Sequence, residues 1–411
     1  MSGNKSGDTR TKKTNSLKGG ADIVIKVLRW AYHSIMTIIT IGILLVYLAS
    51  SYSENFDPRD AHYISFLGIG YHLILIIAII WLAIILFLRH WKLSTILGLS
   101  LLLTYDHICR YFPINFTTAN PVTSVIDDDG NEKEIDVCKI KVLTYNTCGL
   151  GQVHLSKIKE KIPILDVIRN SDADIVCLQE YAFTLSKGGH TQEQIRQSMS
   201  DLYPYYDFMP NSGRTAMGIA VFSKYPIKNM VRIDKSKKNY VSSMFYELDV
   251  KGQRVVLLNN HLHSNLIKQR DRMLYDEMIE HFEADSLQRI RTGMLRSLGS
   301  GLRARASEAH KIKDFLKDRI GNEDVPILIC GDLNDTPISY CYKTMRGDLE
   351  DAWQNAGFGS GTTYNQHHFW FRIDHIFHSA HFKTLETKVL KQYEYSDHYP
   401  VLTTLQLLTC I

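Results

Sequence analysis

No Cys-x-x-Cys pair occurs among the seven cysteines, Cys109, Cys138, Cys148, Cys177, Cys330, Cys341 and Cys410, so a zinc ribbon is not indicated. Seven cysteines in 411 residues are too sparse for a small disulfide-stapled scaffold. Ten prolines, 25 glycines and 45% hydrophobic residues exclude a collagen-like fibre and a disordered chain. Internal repeats and low-complexity tracts are missing too, and so is a basic excess over most of the length. Residues 1–29 hold seven Lys and Arg against Asp8 and Asp22, and residues 30–119 hold four charges of each sign. The rest is close to neutral, so the net charge of +4 is no sign of a nucleic-acid-binding domain.

What the chain does have is long uncharged runs near its start. Trp30–Ser50 contains no Asp, Glu, Lys or Arg, and its 21 residues make a helix about 31 Å long, enough to cross a hydrocarbon core. Ala61–Leu88 is equally uncharged. A third run, Leu93–Tyr105, reaches membrane length only if it continues to Phe112 with Asp106 and Arg110 paired one turn apart; the alternative is a re-entrant or surface-lying segment. The basic tail and the Arg89–Lys92 turn belong on the cytoplasmic side, so three spans place everything after about residue 113 outside the cytoplasm. The expected organisation is a basic tail (1–29), a membrane region with three transmembrane helices (30–112), a polar linker (113–136) and one domain (137–411).

That domain alternates strand-like and helix-like patterns. Lys139–Tyr145 alternates charged and apolar residues as a half-buried strand does, and Pro163 begins a helix carrying Ile164 to Ile168. Cys177 and Cys330 fall inside apolar strands, where a free buried thiol is the ordinary state. Polar residues cluster where the strands stop, in LTYNTCG around Asn146, IVCLQE ending at Glu180, LLNNHLHS around His261, ILICGDLND around Asp332 and Asn334, FRIDHIF around Asp374, and YSDHYPV around Asp397 and His398. Carboxylates gathered in one cleft repel one another unless a cation compensates, and oxygen ligands without cysteine favour Mg²⁺, with Mn²⁺ as the alternative. Such a site suits attack of water on a phosphoester.

The ordered set of six motifs, over about residues 137–409, resembles the endonuclease/exonuclease/phosphatase superfamily. The resemblance implies an α/β fold, the deoxyribonuclease I-like four-layer α/β/β/α sandwich, here preceded by an N-terminal transmembrane helical region. It implies Glu180 as main metal ligand with Asn146 and Asp397 nearby. It gives His398 contact with the phosphate or the role of base, oriented by Asp374, and has Asp332 and Asn334 position the nucleophilic water. His261 would bind the phosphate or act as acid, and its NNHLHS setting fits the deoxyribonuclease, sphingomyelinase and inositol-phosphatase branches better than the abasic-site endonucleases.

His263, His367, His368, His375, His378 and His381 match no motif position and read as surface or packing residues; Arg214 reads as a loop residue or a phosphate contact. Between 264 and 306 lies a helical insertion, with Leu274, Met278, Ile279 and Phe282, then Ile290, Met294, Leu298 and Leu302, at helical spacing. Arg289, Arg291, Arg296, Arg303 and Arg305 accompany the second set and read as a solvated basic face, or as a cover for the cleft, a contact to anionic lipid or a subunit contact. The expected protein is thus a membrane-anchored, Mg²⁺-dependent phosphoesterase, acting on a lipid headgroup or small phosphoester, with the bilayer as partner. The alternatives are an extracytoplasmic nuclease acting on nucleic acid and a non-catalytic membrane interaction protein.

Overall fold

The computed structural model describes residues 6–126, 132–134, 137–151, 161–185, 189–211, 216–233, 243–264, 284–364, 366 and 370–408. Arg214, His367, His368, Cys410 and the expected helix through Leu274 to Phe282 lie outside them. The chain forms two compact units, one of residues 1–49 and 71–104, the other of residues 50–70 and 105–411.

The smaller unit is built from the helix Ser6–Ser51 up to residue 49, then Tyr71–Phe87 and Trp91–Leu103. Their faces meet at three levels. His90 Nε2 lies 3.0 Å from the Tyr32 hydroxyl, the Trp81 indole donates to Thr40 Oγ1 at 3.0 Å, and the Tyr47 and Thr104 hydroxyls are hydrogen-bonded. Met36, Ile85 and Leu97 pack between these levels, so the three segments run up, down and up. Within the described residues one helix, Asp22–Ser51, is by itself long and apolar enough to cross a membrane. The single helix expected over 61–88 is two helices, Pro58–Ile69 and Tyr71–Phe87, broken at Gly70, and the continuation from 93 to 112 is broken at Thr104 before Tyr105–Tyr111.

The larger unit is a mixed α/β fold with two six-stranded sheets. In chain order the strands are Ser124–Ile126 (β1), Glu132–Glu134 (β2), Cys138–Asn146 (β3), Ile175–Ala182 (β4), Tyr205–Pro210 (β5), Met217–Ser223 (β6), Ile227–Arg232 (β7), Ser243–Val250 (β8), Gln253–His261 (β9), Ile327–Asp332 (β10), Glu350–Asp351 (β11), Asp374–His378 (β12), Phe382–Val389 (β13) and Val401–Leu407 (β14). One sheet runs β13-β14-β3-β4-β6-β5 and the other β11-β12-β10-β9-β8-β7, while β1 and β2 form a separate two-stranded ribbon. Alternation puts Ile140, Val142, Cys177 and Val221 of the first sheet against Tyr246, Leu257, Leu328, Cys330 and Ile376 of the second. The outer face of the first sheet buries Leu143, Val176 and Phe222 under the helix Pro163–Ser171, which starts at the expected proline, and under Gln192–Met199. The outer face of the second buries Phe245, Leu258 and Phe377 under the helices Ala284–Ile320 and Tyr340–Arg346. Helix, sheet, sheet and helix therefore follow one another, an order consistent with the expected sandwich.

Two expectations change. Residues of the expected polar linker are tied to the domain: Asn115 Nδ2 donates to the Gly357 carbonyl at 2.9 Å, and the Ala119 and Val122 amides bond Leu385 O and Gln406 Oε1. The helix of the insertion runs on to Ile320, beyond the expected end at 306. Its Leu302, Ala306, Ala309 and Ile312 are buried, so it is a packing layer of the fold.

Candidate active site

Strand direction gathers the motif residues. β3 and β4 are parallel, as are β9 and β10, so Asn146, Glu180, His261 and Asp332 stand where strands end. β12 and β14 run antiparallel to β10 and β3, so Asp374 and the segment holding Asp397 and His398 stand where strands begin. The register puts His261 beside Asp332 and Asp332 beside Asp374. All eight candidate residues are therefore brought to the same end of the two sheets.

Local backbone aims the side chains. Glu180 has φ 49°, where β4 and β6 change register between Leu178 and Tyr181; a bulge there turns its carboxylate out of the alternation. Asn334 has φ 53°, a left-handed conformation that asparagine adopts more readily than most residues. Its amide donates to Asp332 Oδ1 at 2.7 Å, and its Nδ2 donates to Asp332 Oδ2 at 3.1 Å and to the Leu262 carbonyl at 3.0 Å.

His398 Nδ1 and Asp374 Oδ2 are 2.8 Å apart, both side chains being buried, and His398 Nε2 lies 3.8 Å from Asp332 Oδ2. Asn146 Nδ2 donates to Asp332 Oδ2 at 3.0 Å and reaches Glu180 Oε1 at 3.4 Å. His261 Nε2 is 3.5 Å from Glu180 Oε1 and 3.7 Å from Asp332 Oδ2. The Ser396 hydroxyl donates to the Asn146 carbonyl at 2.8 Å and lies 3.2 Å from Asp397 Oδ1.

Protonation follows from this crowding. Burial, reinforced by Asp374, pushes Asp332 up to about 6. Burial, then the charge of Asp397, also raises Glu180. Burial disfavours charge on His398, but Asp374 and Asp332 outweigh it and hold the imidazolium up to about 10. Asp374 is the complement: burial would raise it, and the His398 charge brings it below the usual carboxylate range. His261 is pushed down by burial and is neutral.

Four carboxylates thus face one cationic imidazole, and the excess negative charge adds to burial in raising Glu180 and Asp332. Asp332, Asp374 and His398 each offer an atom within 4.8 Å of the others. Asp374 Oδ1 is buried without a hydrogen bond of normal geometry. Surplus carboxylate oxygens, one of them unsatisfied, fit a hard divalent cation. The most compact group includes His398, which its ion pair keeps protonated, so Glu180, with Asn146 and Asp397, would be the better donor set. The mixed site can bind an anion, hold a cation and move a proton.

Several residues went unassigned in the sequence. Thr363 Oγ1 accepts from the Ile373 and Asp374 amides at 3.1 and 3.2 Å, and the Tyr364 ring lies 5.2 Å from that of His398. Gln179 Nε2 donates to Asn259 Oδ1 at 2.7 Å, joining the two sheets beneath the site. Asp335 ends the ILICGDLND motif and Ser396 lies in YSDHYPV, so proximity in sequence was their available signal.

Residues 143–398 match the Endonuclease/Exonuclease/phosphatase family, and residues 33–111 match a domain of unknown function (DUF8431). No match was found among curated proteins. Similar solved structures include the human nocturnin catalytic domain with bound sulfate, 18% identical, covering 66% of this chain and 96% of that one with a TM-score of 0.46. Truncated Caenorhabditis elegans TDP2 is 18% identical over 65% and 97% with a TM-score of 0.45. The mannosyl-6-phosphatase Bt3783 of Bacteroides thetaiotaomicron is 17% identical over 65% and 99% with a TM-score of 0.42. With the family match spanning more than half its length, this chain belongs to the endonuclease/exonuclease/phosphatase family.

Proposed function

We propose that the protein is a membrane-anchored, Mg²⁺-dependent phosphoester hydrolase. The observation that carries this is the row His261, Asp332 and Asp374, with His398 paired to Asp374 and Glu180 close to His261, so that one polar cluster holds more carboxylate than cation. Glu180, with Asn146 and Asp397, would hold Mg²⁺ or Mn²⁺. When bound, the ion supplies positive charge against the phosphate oxygens. Asp332, tied to Asn334 and poised near 6, is placed to orient a water and accept its proton. His398, kept charged by Asp374, is placed to donate to a phosphate oxygen as charge builds there. Neutral His261 can hydrogen-bond the same group.

Anchoring is supported by the apolar helix Asp22–Ser51 and by the matched levels of the three-segment unit. The proposed topology keeps the basic tail cytoplasmic and the catalytic unit extracytoplasmic. The proposed substrate is a lipid headgroup phosphodiester or related small phosphoester, which suits a near-neutral domain beside a bilayer.

The test is to incubate the full chain, in detergent and in nanodiscs with Mg²⁺, with sphingomyelin, glycerophospholipids, inositol phosphates, DNA and RNA. Hydrolysis of a lipid or small phosphoester, abolished by Glu180→Ala and by His398→Ala, is expected. Full turnover by both variants would overturn the hydrolase reading. Nucleic-acid cleavage falling steeply with salt, without lipid turnover, would overturn the substrate assignment.

A further inference from the structure

Arg305 stood in the sequence among five arginines expected on a solvated face, yet its side chain is wholly buried. Its Nε lies 3.0 Å from Asp335 Oδ2, and its Nη1 donates to the His263 carbonyl at 3.1 Å. One turn on, Glu308 Oε2 accepts from the His263 amide at 2.8 Å. One stretch of the helix Ala284–Ile320 therefore holds both chain segments that leave the site, the one two residues past His261 and the one directly after Asn334. A third connection passes through the Asp335 carbonyl, which accepts from His375 Nε2 at 3.1 Å, next to Asp374.

We propose that Arg305 is a positioning residue for the reaction: it fixes the separation of His261 from Asp332 and Asn334, acting through His263 and Asp335. Up to His261 and Asp332 the ladder between β9 and β10 sets that separation. Beyond them the ladder has ended, and the cross-links are the Leu262 amide to Asp332 O at 2.9 Å, Asn334 Nδ2 to Leu262 O, and the Arg305 fork. A buried ion pair is weak as a stabiliser, since desolvation consumes most of its attraction; its geometric selectivity is what a well-packed apolar pair would lack. The planar guanidinium reaches two acceptors in fixed directions, which an ammonium does not. Misplacement of a reacting group by about 1 Å costs about 100-fold in rate.

This inference rests on the hydrolase reading, and its test separates the two. The full chain is compared as wild type, Arg305→Gln, Arg305→Lys, and Arg305→Gln combined with Asp335→Asn. Readouts are hydrolysis of bis(p-nitrophenyl) phosphate with Mg²⁺, thermal midpoint, and amide exchange over residues 262–264 and 333–335. Arg305→Gln is expected to lower both kcat and the midpoint, because Asp335 keeps a buried charge. Adding Asp335→Asn restores the midpoint, while kcat stays down by about 100-fold with KM within about threefold, and exchange in the two segments rises. Arg305→Lys keeps the charge but leaves kcat about tenfold down. A double variant with restored midpoint and wild-type kcat, or with unchanged local exchange, would overturn the proposal. If the wild type hydrolyses nothing, the hydrolase reading fails and the exchange comparison alone decides whether Arg305 braces the segments.

Discussion

Glu180 carries two penalties at once. Its backbone is left-handed, a conformation that costs a non-glycine residue about 1 kcal/mol or more, and its carboxylate is raised by burial and by Asp397. A raised carboxyl means that ionisation is harder in the folded chain than in the unfolded one. Above its folded pKa the charge therefore lowers stability, and the penalty vanishes below the ordinary carboxylate range. Glu180→Gln should raise the thermal midpoint at pH 7 by roughly 2–4 °C if about 1 kcal/mol is recovered, with the gain shrinking as pH falls, while Mg²⁺-dependent turnover drops at least about 100-fold. A midpoint lowered by the substitution would show that Glu180 is a structural residue. The motif around Glu180 was readable because a carboxylate after an apolar run is conspicuous. Arg305 was not, since a buried arginine and a solvated one look alike in a stretch where arginines recur.

At the scale of one strand, β12 does more than present Asp374. His375 points to the other face, donates Nε2–H to Asp335 O and accepts from Arg372 Nη1 at 3.0 Å; Arg372 Nη1 also lies 2.9 Å from Asp351 Oδ2. Both imidazole nitrogens are used in the neutral form, and protonation would set Nδ1–H against a guanidinium. Burial, then the Arg372 charge, accordingly depresses His375 to about 4. Between about 4 and about 6.5 the unfolded chain binds a proton that the folded chain does not, so stability should fall as pH drops through that window, by up to about 1.4 kcal/mol per pH unit from this group. Urea midpoints measured from pH 7.5 to 4.5 should show the fall, and His375→Gln should flatten it; equal slopes in both proteins would rule the imidazole out. The motif around Asp374 was legible, and the network behind it was not, because its partners come from distant segments. The same limit holds within the uncharged run from 61 to 88, where a Cβ at Gly68 would lie 2.3 Å from Ser53 Oγ and 2.4 Å from the Ile338 carbonyl, a close approach that hydropathy does not encode.

For the whole molecule, the larger unit takes in more of the chain than the domain expected from residue 137 onward. Residues 50–70 and 105–112 were expected within the membrane region, and they belong to the same compact unit as the two sheets. Ser53 Oγ donates to the Ile338 carbonyl at 3.3 Å, Arg110 Nη1 pairs with Glu54 Oε2 at 2.7 Å, and Arg372 Nη2 donates to the Arg110 carbonyl at 2.6 Å. The Glu54 and Arg110 side chains are 4% and 8% exposed, so this is a buried pair held against the strand that carries Asp374. Breaking such a pair from one side leaves a charge without full compensation, at a cost on the order of 3 kcal/mol, softened here because Asp106 also reaches Arg110. Glu54→Gln in the full chain should therefore lower the thermal midpoint of the catalytic unit by several degrees. A fragment starting at residue 137, which lacks both segments and deprives Arg372 of its carbonyl partner, should unfold lower still and lose turnover. The comparison is a thermal scan and a phosphodiester assay on full chain, variant and fragment together. A fragment as stable and active as the full chain would put the boundary back at the end of the polar stretch and leave the two segments as spacers between helices.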